Sequence, residues 1–149
     1  MARPRVEVVN DDISTSALAT TRLLPQITAV NRPFWEGGRD GLLHVEFCPS
    51  CERYANPPQG RCERCGGSVG YRAVSGRGQL FTFTVNHQPY NPAVPVPYVV
   101  GLVELDEQAG LRVFTNIVGI PPEKVAIGME VTVVFEDHDP IFIPVFVPA

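Results

Sequence analysis

The stretches Cys48-Pro49-Ser50-Cys51 and Cys62-Glu63-Arg64-Cys65 contain all four cysteines of the chain, with ten residues between the two pairs. A C-x2-C turn is short enough to direct two sulfurs at one metal ion, and a second turn of the same kind completes a tetrahedral thiolate cage. Because every cysteine is used as a ligand, no coordination position is left for water or substrate, as a catalytic zinc would need. The pattern predicts a structural zinc site whose ligands are Cys48, Cys51, Cys62 and Cys65.

Two other interpretations of the cysteine pairs remain open at this point. Iron suits the same tetrahedral thiolate cage as zinc. Two disulfides would use the same residues, but the chain opens without the apolar stretch of a signal peptide. Paired C-x2-C turns in a non-secreted protein favour a metal over disulfides. We therefore expect zinc as the cofactor, with iron as the lesser alternative.

The composition predicts extended structure with little helix. The chain has 149 residues, of which 15 are proline and 13 are glycine, and these residues mark turns and extended segments. No apolar run reaches the roughly 20 residues that a membrane-spanning helix needs, so we expect a soluble, cytoplasmic protein. The net charge of −4, from 12 basic and 16 acidic residues, does not favour a nucleic acid partner, which needs clustered basic side chains.

The first 41 residues are predicted to form an N-terminal extension and a short helix. Asp11-Asp12 could cap a first helix that ends before Pro25, although its many Ser, Thr and Val residues have low helix propensity. This extension is interpreted either as a flexible segment or as an arm that orders on a partner. The signal is clearer from Asn31, which could cap a helix that has Pro33 in its first turn and stops at Gly37-Gly38.

Residues 42–70 are predicted to form a rubredoxin-like zinc ribbon. Leu42 to Phe47 reads as a strand that enters the first cysteine turn, and the prolines between the two turns suit an extended loop. Gly66-Gly67 directly after the last cysteine permit the tight backbone of a metal knuckle, since glycine readily adopts a positive φ. Glu52 stands at the equivalent place after the first pair, so the first knuckle departs from this pattern.

Residues 71–149 are predicted to form a five-stranded barrel of the oligonucleotide/oligosaccharide-binding (OB) type. Alternating apolar and polar residues, rich in β-branched side chains, predict strands over residues 79–85, 98–105, 111–117, 130–136 and 141–147. Pro144 is expected to break the last strand at an edge or a bulge. Five strands of this length, with a short helical turn from Pro121 before Gly128, fit a small closed barrel, and a β-sandwich is the alternative fold.

The order of several short motifs resembles that of a known protein family. These motifs are Pro33-Phe34-Trp35-Glu36, Leu42-Leu43, Pro57-Pro58, Ser75-Gly76-Arg77-Gly78, Pro97-Tyr98-Val99-Val100, Ile127-Gly128-Met129 and Pro144-Val145-Phe146. The resemblance covers residues 25–149, and no single motif carries it alone. The family comprises zinc-ribbon OB-fold proteins that were long catalogued as a domain of unknown function.

The resemblance implies a non-catalytic accessory subunit. Members of that family look like partners of thiolase-like acyl-CoA enzymes: some bridge an acetyl-CoA acetyltransferase and a hydroxymethylglutaryl-CoA synthase. Others pair with a thiolase-fold aldolase of steroid side-chain breakdown or with an acyltransferase. We therefore expect this chain to bind a thiolase-fold subunit in a hetero-oligomer and to help form its acyl-CoA site. The alternatives are a nucleic-acid-binding module and an independent hydrolase or transferase that acts on acyl-CoA.

Five side chains are predicted to bind the partner or a ligand: Phe34, Trp35, Arg77, His87 and Tyr90. Phe34 and Trp35 either pack the short helix or flank a narrow apolar acyl channel. His87 follows the first barrel strand, where OB folds often meet ligands, and Tyr90 lies in a proline-stiffened loop that suits docking. The arginines that could bind coenzyme A phosphates are Arg32, Arg39, Arg77 and Arg112.

No catalytic residue is predicted. The three histidines are accompanied by no Gly-x-Ser-x-Gly elbow, phosphate loop or spare cysteine nucleophile. His44 is expected to have a hydrogen-bonded structural role beside the ribbon, and His138 is expected on a solvated turn between two aspartates. Catalysis by the isolated chain is therefore not expected.

Overall fold

The computed structural model describes residues 22–149, so the helix predicted after Asp11-Asp12 lies outside the described residues. Within them, one α-helix, α1 (Arg32–Glu36), and two 3₁₀ helices, Gly37–Asp40 and Pro122–Lys124, accompany eight strands. The strands are β1 (Leu43–Cys48), β2 (Arg53–Ala55), β3 (Gly70–Val74), β4 (Arg77–Asn86), β5 (Tyr98–Leu105), β6 (Arg112–Ile117), β7 (Glu130–His138) and β8 (Ile141–Pro148). The protein is mainly β, as predicted. None of the helices in this part of the chain has the length and apolar character needed to cross a membrane.

The helix α1 forms where the sequence predicts it, but Asn31 does not cap it with its side chain. Asn31 is the N-cap residue and Pro33 lies in the first turn, yet no cap hydrogen bond forms from the Asn31 side chain. Asn31 Oδ1 instead accepts from the Thr28 amide at 2.8 Å, and Nδ2 donates to Gln26 O at 3.1 Å. The capping prediction is wrong because the side chain stabilises the preceding turn.

The ribbon is a three-stranded antiparallel sheet in the order β2-β1-β3. The central strand β1 ends at the first cysteine of the metal-binding pattern, and it pairs with β2 from Glu46↔Ala55 to Cys48↔Arg53. Leu43 and Val45 of β1 belong to the same buried cluster as barrel residues such as Leu80. The hydrophobic core is therefore continuous from the ribbon to the barrel.

The remaining five strands close into a barrel in the order β4-β5-β6-β8-β7, which is the strand order of an OB fold. Neighbouring strands are antiparallel except β6 and β8, which meet in parallel at Ile117↔Phe146. Alternation along β5 places every second residue inside, as predicted. The interior is filled by large apolar side chains, among them Leu80, Val103, Val113, Val131 and Phe146.

Pro144 does not interrupt the last strand, contrary to the prediction. The strand β8 runs through it, and Pro144 pairs in register with Phe135 of β7. Its carbonyl accepts a hydrogen bond from the Thr115 hydroxyl of β6 at 3.0 Å, where the parallel ladder with β6 has not yet begun. Proline is tolerated here because its ring nitrogen lacks a ladder partner on that side of the strand.

The hairpin loop 106–110 between β5 and β6 joins the ribbon to the barrel. The Gln108 side chain accepts from the Tyr54 amide at 2.9 Å and donates to the Tyr54 carbonyl at 3.0 Å, so it continues the edge of β2. Asn56 Nδ2 donates to Arg112 O at 2.8 Å. On the other side of the loop, Glu107 accepts from the Ser75 amide at 2.6 Å. These contacts fix the orientation of the ribbon on the barrel.

Candidate metal centre and partner surface

The four cysteines converge on one point at the end of the ribbon. Their sulfur atoms all lie within 4.8 Å of one another, with Cys48 and Cys65 at 3.7 Å and Cys51 and Cys62 at 3.9 Å. A tetrahedron with metal–sulfur bonds of about 2.3 Å requires sulfur–sulfur distances of about 3.8 Å. The cage therefore has the dimensions of a four-thiolate metal site, and the cysteines could hold a metal ion as predicted.

Both cysteine turns have the backbone of a metal knuckle, including the one that lacks a glycine. Cys51 N donates to Cys48 Sγ at 3.4 Å, and Gly67 N donates to Cys65 Sγ at 3.3 Å. Gly66 has a φ of +69°, and Glu52 has a φ of +51° at the equivalent place in the first turn. The geometry of the turn thus overrides the poor fit of a non-glycine residue to the left-handed region.

Two of the four thiols have shifted pKa values because of the hydrogen bonds around them. Hydrogen bonds from the Cys65 and Arg64 backbone amides lower the pKa of Cys62 to about 6. The side-chain hydrogen bond with Cys65 raises the pKa of Cys51 to about 12. A metal must displace the protons that such a cage retains, so its binding releases protons to the solvent.

Glu46 is a buried residue beside the cage that sequence reasoning missed. It lies on β1, two residues before Cys48, and only 2% of it is exposed. Its carboxylate accepts hydrogen bonds from the backbone amides of Gln59 and Gly60, in the loop between the cysteine pairs. The sequence does contain a signal for this buried residue: Glu46 is the one acidic residue of a largely apolar strand that ends at the first cysteine turn.

The segment that leads into α1 is attached to the barrel by a partly buried ion pair. Arg22 donates to both carboxylate oxygens of Glu136 on β7, at 2.7 and 2.9 Å. His138 Nε2 lies 3.3 Å from the same carboxylate. His138 is the last residue of β7 and is mostly buried, so the prediction of a solvated turn is wrong: the ring turns back towards Glu136.

An apolar groove of about 390 Å³ lies between this segment and the barrel. Trp35, half-buried and packed edge-on against Phe34 with ring centroids 4.8 Å apart, forms part of its wall. Leu23 and Phe114 border the groove and are 89% and 74% exposed. We call this surface the Trp35 groove.

The five predicted binding residues are not brought together at one site. Phe34 is buried in the core and Trp35 lines the Trp35 groove. Arg77 begins β4, His87 is exposed directly after β4, and Tyr90 is 82% exposed in the proline-rich loop. His44 lies on β1 of the ribbon and is not part of the cysteine cluster.

Three of the four candidate arginines are engaged by carboxylates. Arg32 pairs with Glu36 at 2.8 Å, Arg39 with Asp139 at 2.6 Å and Arg112 with Glu104 at 3.2 Å. The Arg112 guanidinium also lies 3.6 Å from the ring centroid of Phe81. These side chains have carboxylate partners within the chain, which lowers the positive charge that they present to an anionic ligand.

The four-cysteine cluster on a three-stranded sheet, followed by a closed five-stranded barrel, places this chain in the class of proteins that combine a cysteine ribbon with an OB fold. A family model described as "ChsH2, C-terminal OB-fold domain" matches residues 71–136. A "DUF35 domain-containing scaffold protein" of Methanocaldococcus jannaschii is 34% identical over 99 residues, which is 62% of this chain and 69% of that protein. The solved structure of the "Ltp2-ChsH2(DUF35) aldolase" is 37% identical, with a TM-score of 0.75 over 84% of this chain and 98% of that chain. The chain belongs to the DUF35 family.

The chain is also similar to part of a longer protein. A "Probable enoyl-CoA hydratase alpha subunit" of Thermomonospora curvata is 42% identical over 127 residues, or 81% of this chain. This chain matches 39% of that relative's length. The similarity therefore concerns one portion of the hydratase subunit.

Proposed function

We propose that this protein is a non-catalytic accessory subunit that binds a thiolase-fold acyl-CoA enzyme and helps to form its acyl-CoA site. The observation that carries the proposal is the match to the DUF35 chain of the Ltp2-ChsH2 aldolase, which is 37% identical and covered over 98% of its length. The relatives described as a scaffold protein and as a hydratase subunit support a role within an assembly. A cytoplasmic location stays a prediction.

The Trp35 groove is the surface that we propose for the partner. Exposed Leu23 and Phe114 with half-buried Trp35 form an apolar and aromatic cluster, and interface cores are enriched in such side chains. Phe34 would act by supporting Trp35 from the core. Arg77, His87 and Tyr90 are proposed as a separate contact region around β4 and the proline-rich loop.

Zinc is the metal that we propose for the four-cysteine cage. Cys48, Cys51, Cys62 and Cys65 fit the sulfur–sulfur distances of a closed tetrahedral site. When bound, the ion supplies a structural crosslink between the two turns and leaves no open position for a reaction. Metal analysis of the purified full chain should find about one zinc per chain, and the visible absorbance of an iron–thiolate centre would contradict zinc.

The partner is tested by co-expressing the full chain with each thiolase-fold enzyme of its own genome and measuring complex formation by size-exclusion chromatography. One enzyme is expected to co-elute with the chain and to lose solubility or activity without it. The proposal would be contradicted if none of these enzymes forms a complex with the chain and if each enzyme is equally active with and without the chain. In the same assay Leu23→Ser should weaken the complex, while Val30→Ser, which alters a 40% exposed side chain outside the groove and away from β4 and the proline-rich loop, should leave it intact.

A further inference from the structure

The burial of Glu46 is unusual for a carboxylate. Glutamate is seldom fully buried unless its charge is compensated, because an ionised carboxylate without partners in the interior costs several kcal/mol or more. Glu46 is 2% exposed and lies in the central strand of the ribbon, paired in register with Ala55 on one side and Tyr71 on the other. Strong hydrogen bonds to the carboxylate can offset this cost, and the structural role of Glu46 depends on which groups donate them.

Three backbone hydrogen bonds compensate the carboxylate. Gly60 N donates to Oε2 at 2.7 Å, and Gln59 N donates to Oε2 and Oε1 at 3.0 and 3.1 Å. Gly60 has a φ of +79°, a conformation that favours glycine, so the residue type at this position suits the backbone of the turn. Hydrogen bonds from amides to an ionised carboxylate are stronger than those between neutral groups.

The hydrogen bonds of Glu46 link the two segments that lead into the cysteine turns. Glu46 precedes Cys48 by two residues, and Gly60 precedes Cys62 by two residues. One side chain therefore connects the approach to the first cysteine turn with the approach to the second. It does so without lying among the four sulfur ligands.

We propose that Glu46 is a positioning residue that raises the affinity of the cage for its metal by holding the two cysteine turns in place. Without this contact, metal binding must itself order the loop between the turns, and that conformational entropy is lost from the binding free energy. The inference rests on the metal-binding part of the proposed function and does not depend on the partner enzyme.

The test compares Glu46→Gln with Glu63→Gln in the full chain. Glu63 is exposed between Cys62 and Cys65, so its replacement removes one negative charge beside the cage and leaves the contact between the turns unchanged. Glu46→Gln removes the negative charge and keeps only one acceptor oxygen. If that oxygen takes the place of Oε2, the new NH2 group takes the place of Oε1 and opposes the donating amide of Gln59. Chelator competition should show zinc affinity weakened by about 10- to 100-fold in Glu46→Gln, the range typical of residues that orient metal ligands. Glu63→Gln should leave zinc affinity close to that of the wild type.

Cobalt substitution separates a lower affinity from a destroyed cage. At saturating cobalt, Glu46→Gln should show the same tetrahedral thiolate absorption bands as the wild type, because all four ligands are retained. If Glu46→Gln does not fold, Glu46→Asp serves instead: it keeps the charge but withdraws the carboxylate by about 1.5 Å, and Glu63→Asp is its control. Equal zinc affinities for the Glu46 variant and its Glu63 control would overturn the inference. A wild type that binds no metal would instead refute the proposed zinc site.

Discussion

Two buried glutamates in this protein obtain their partners in different ways. Glu46 accepts three hydrogen bonds from backbone amides, whereas Glu136 accepts two from the Arg22 guanidinium. In each case the donor lies far along the chain from the carboxylate. Both carboxylates thus connect an irregular segment to a strand, which is why a polar group is retained at a buried position.

Tyr71 should ionise at a higher pH than an ordinary tyrosine side chain. Burial, and then the negative charge of Glu46, raise the pKa of Tyr71 to about 12. The unfolded chain would ionise near the ordinary value of 10.0. The contribution of Tyr71 to stability is therefore fully present below pH 10 and is lost as the pH rises through about 12.

An ultraviolet absorbance titration of the native protein checks the Tyr71 prediction. Tyr71→Phe should remove a transition near pH 12, and Tyr90→Phe, which changes an 82% exposed phenol, should leave that transition in place. Loss of the same transition in both variants, or in neither, would show that the assignment to Tyr71 is wrong.

The burial of Glu46 could not be predicted from the strand pattern alone. Alternation along β1 places Glu46 on the opposite face from Val45 and Phe47, and such a face is ordinarily solvated. The loop residues Gln59 and Gly60 cover that face, and they lie 13 and 14 residues later in the chain. The cysteine spacing, by contrast, depends on local geometry and predicted the cluster of four sulfurs correctly.

At the scale of elements, the hairpin loop 106–110 determines how the ribbon sits on the barrel. Gln108→Ala removes both side-chain hydrogen bonds to the Tyr54 backbone, which belongs to an edge of the ribbon sheet. Partly buried backbone groups left without partners cost about 1–2 kcal/mol. We expect the free energy of unfolding to fall by that amount.

Chemical denaturation of the metal-loaded full chain measures the effect of Gln108→Ala. Gln88→Ala is the matched control, because Gln88 is an exposed glutamine of the proline-rich loop and its side chain can be truncated at little cost. A change in unfolding free energy no larger than that of the control would mean that the Gln108 contacts do not stabilise the joint.

The strands were predictable because each pattern is local, whereas their exceptions depend on distant neighbours. The β5–β6 hairpin follows the predicted ranges, since alternation and turn residues decide it. Pro144 stays within β8 because β6 leaves its nitrogen without a required partner, and this depends on barrel closure. The arrangement of neighbouring strands is not contained in the sequence of one strand.

At the scale of the whole molecule, the continuous core predicts that metal loss affects the barrel as well as the ribbon. Leu43, Val45 and Val74 pack in one cluster with the barrel interior. Removing the metal with a chelator, or one ligand by Cys62→Ser, should therefore lower the denaturation midpoint of the entire chain in a single transition.

Trp35 is the chain's only tryptophan and packs against both hydrophobic clusters, so its fluorescence reports on the whole core. The fluorescence transition should coincide with the denaturant concentration at which the cysteine thiols become reactive to a thiol reagent. Cys62→Ala should match Cys62→Ser, which would exclude an effect of the hydroxyl. Thiols that become reactive well before the fluorescence changes would show that the ribbon unfolds independently.

The cysteine pairs and the five alternating strands are enough to predict a ribbon and a barrel from the sequence. They do not predict how the ribbon packs against the barrel. The sequence suggested a boundary near residue 70, and nothing in the local patterns indicates that Leu43 and Leu80 share one cluster. Contacts of this kind depend on the final orientation of the sheets. The same holds for the Trp35 groove, whose walls come from separate segments of the chain.

The hairpin loop 106–110 also limits where the chain can change in length during evolution. Its residues contact β2 on one side and the segment before β4 on the other, so one inserted residue would displace at least one of these contacts. Residues 87–97 are mostly exposed, and exposed loops tolerate insertions. Divergent sequences with this architecture should therefore keep a constant spacing between β5 and β6, whereas only contacts with a partner, and not the fold, would constrain the length of the proline-rich loop.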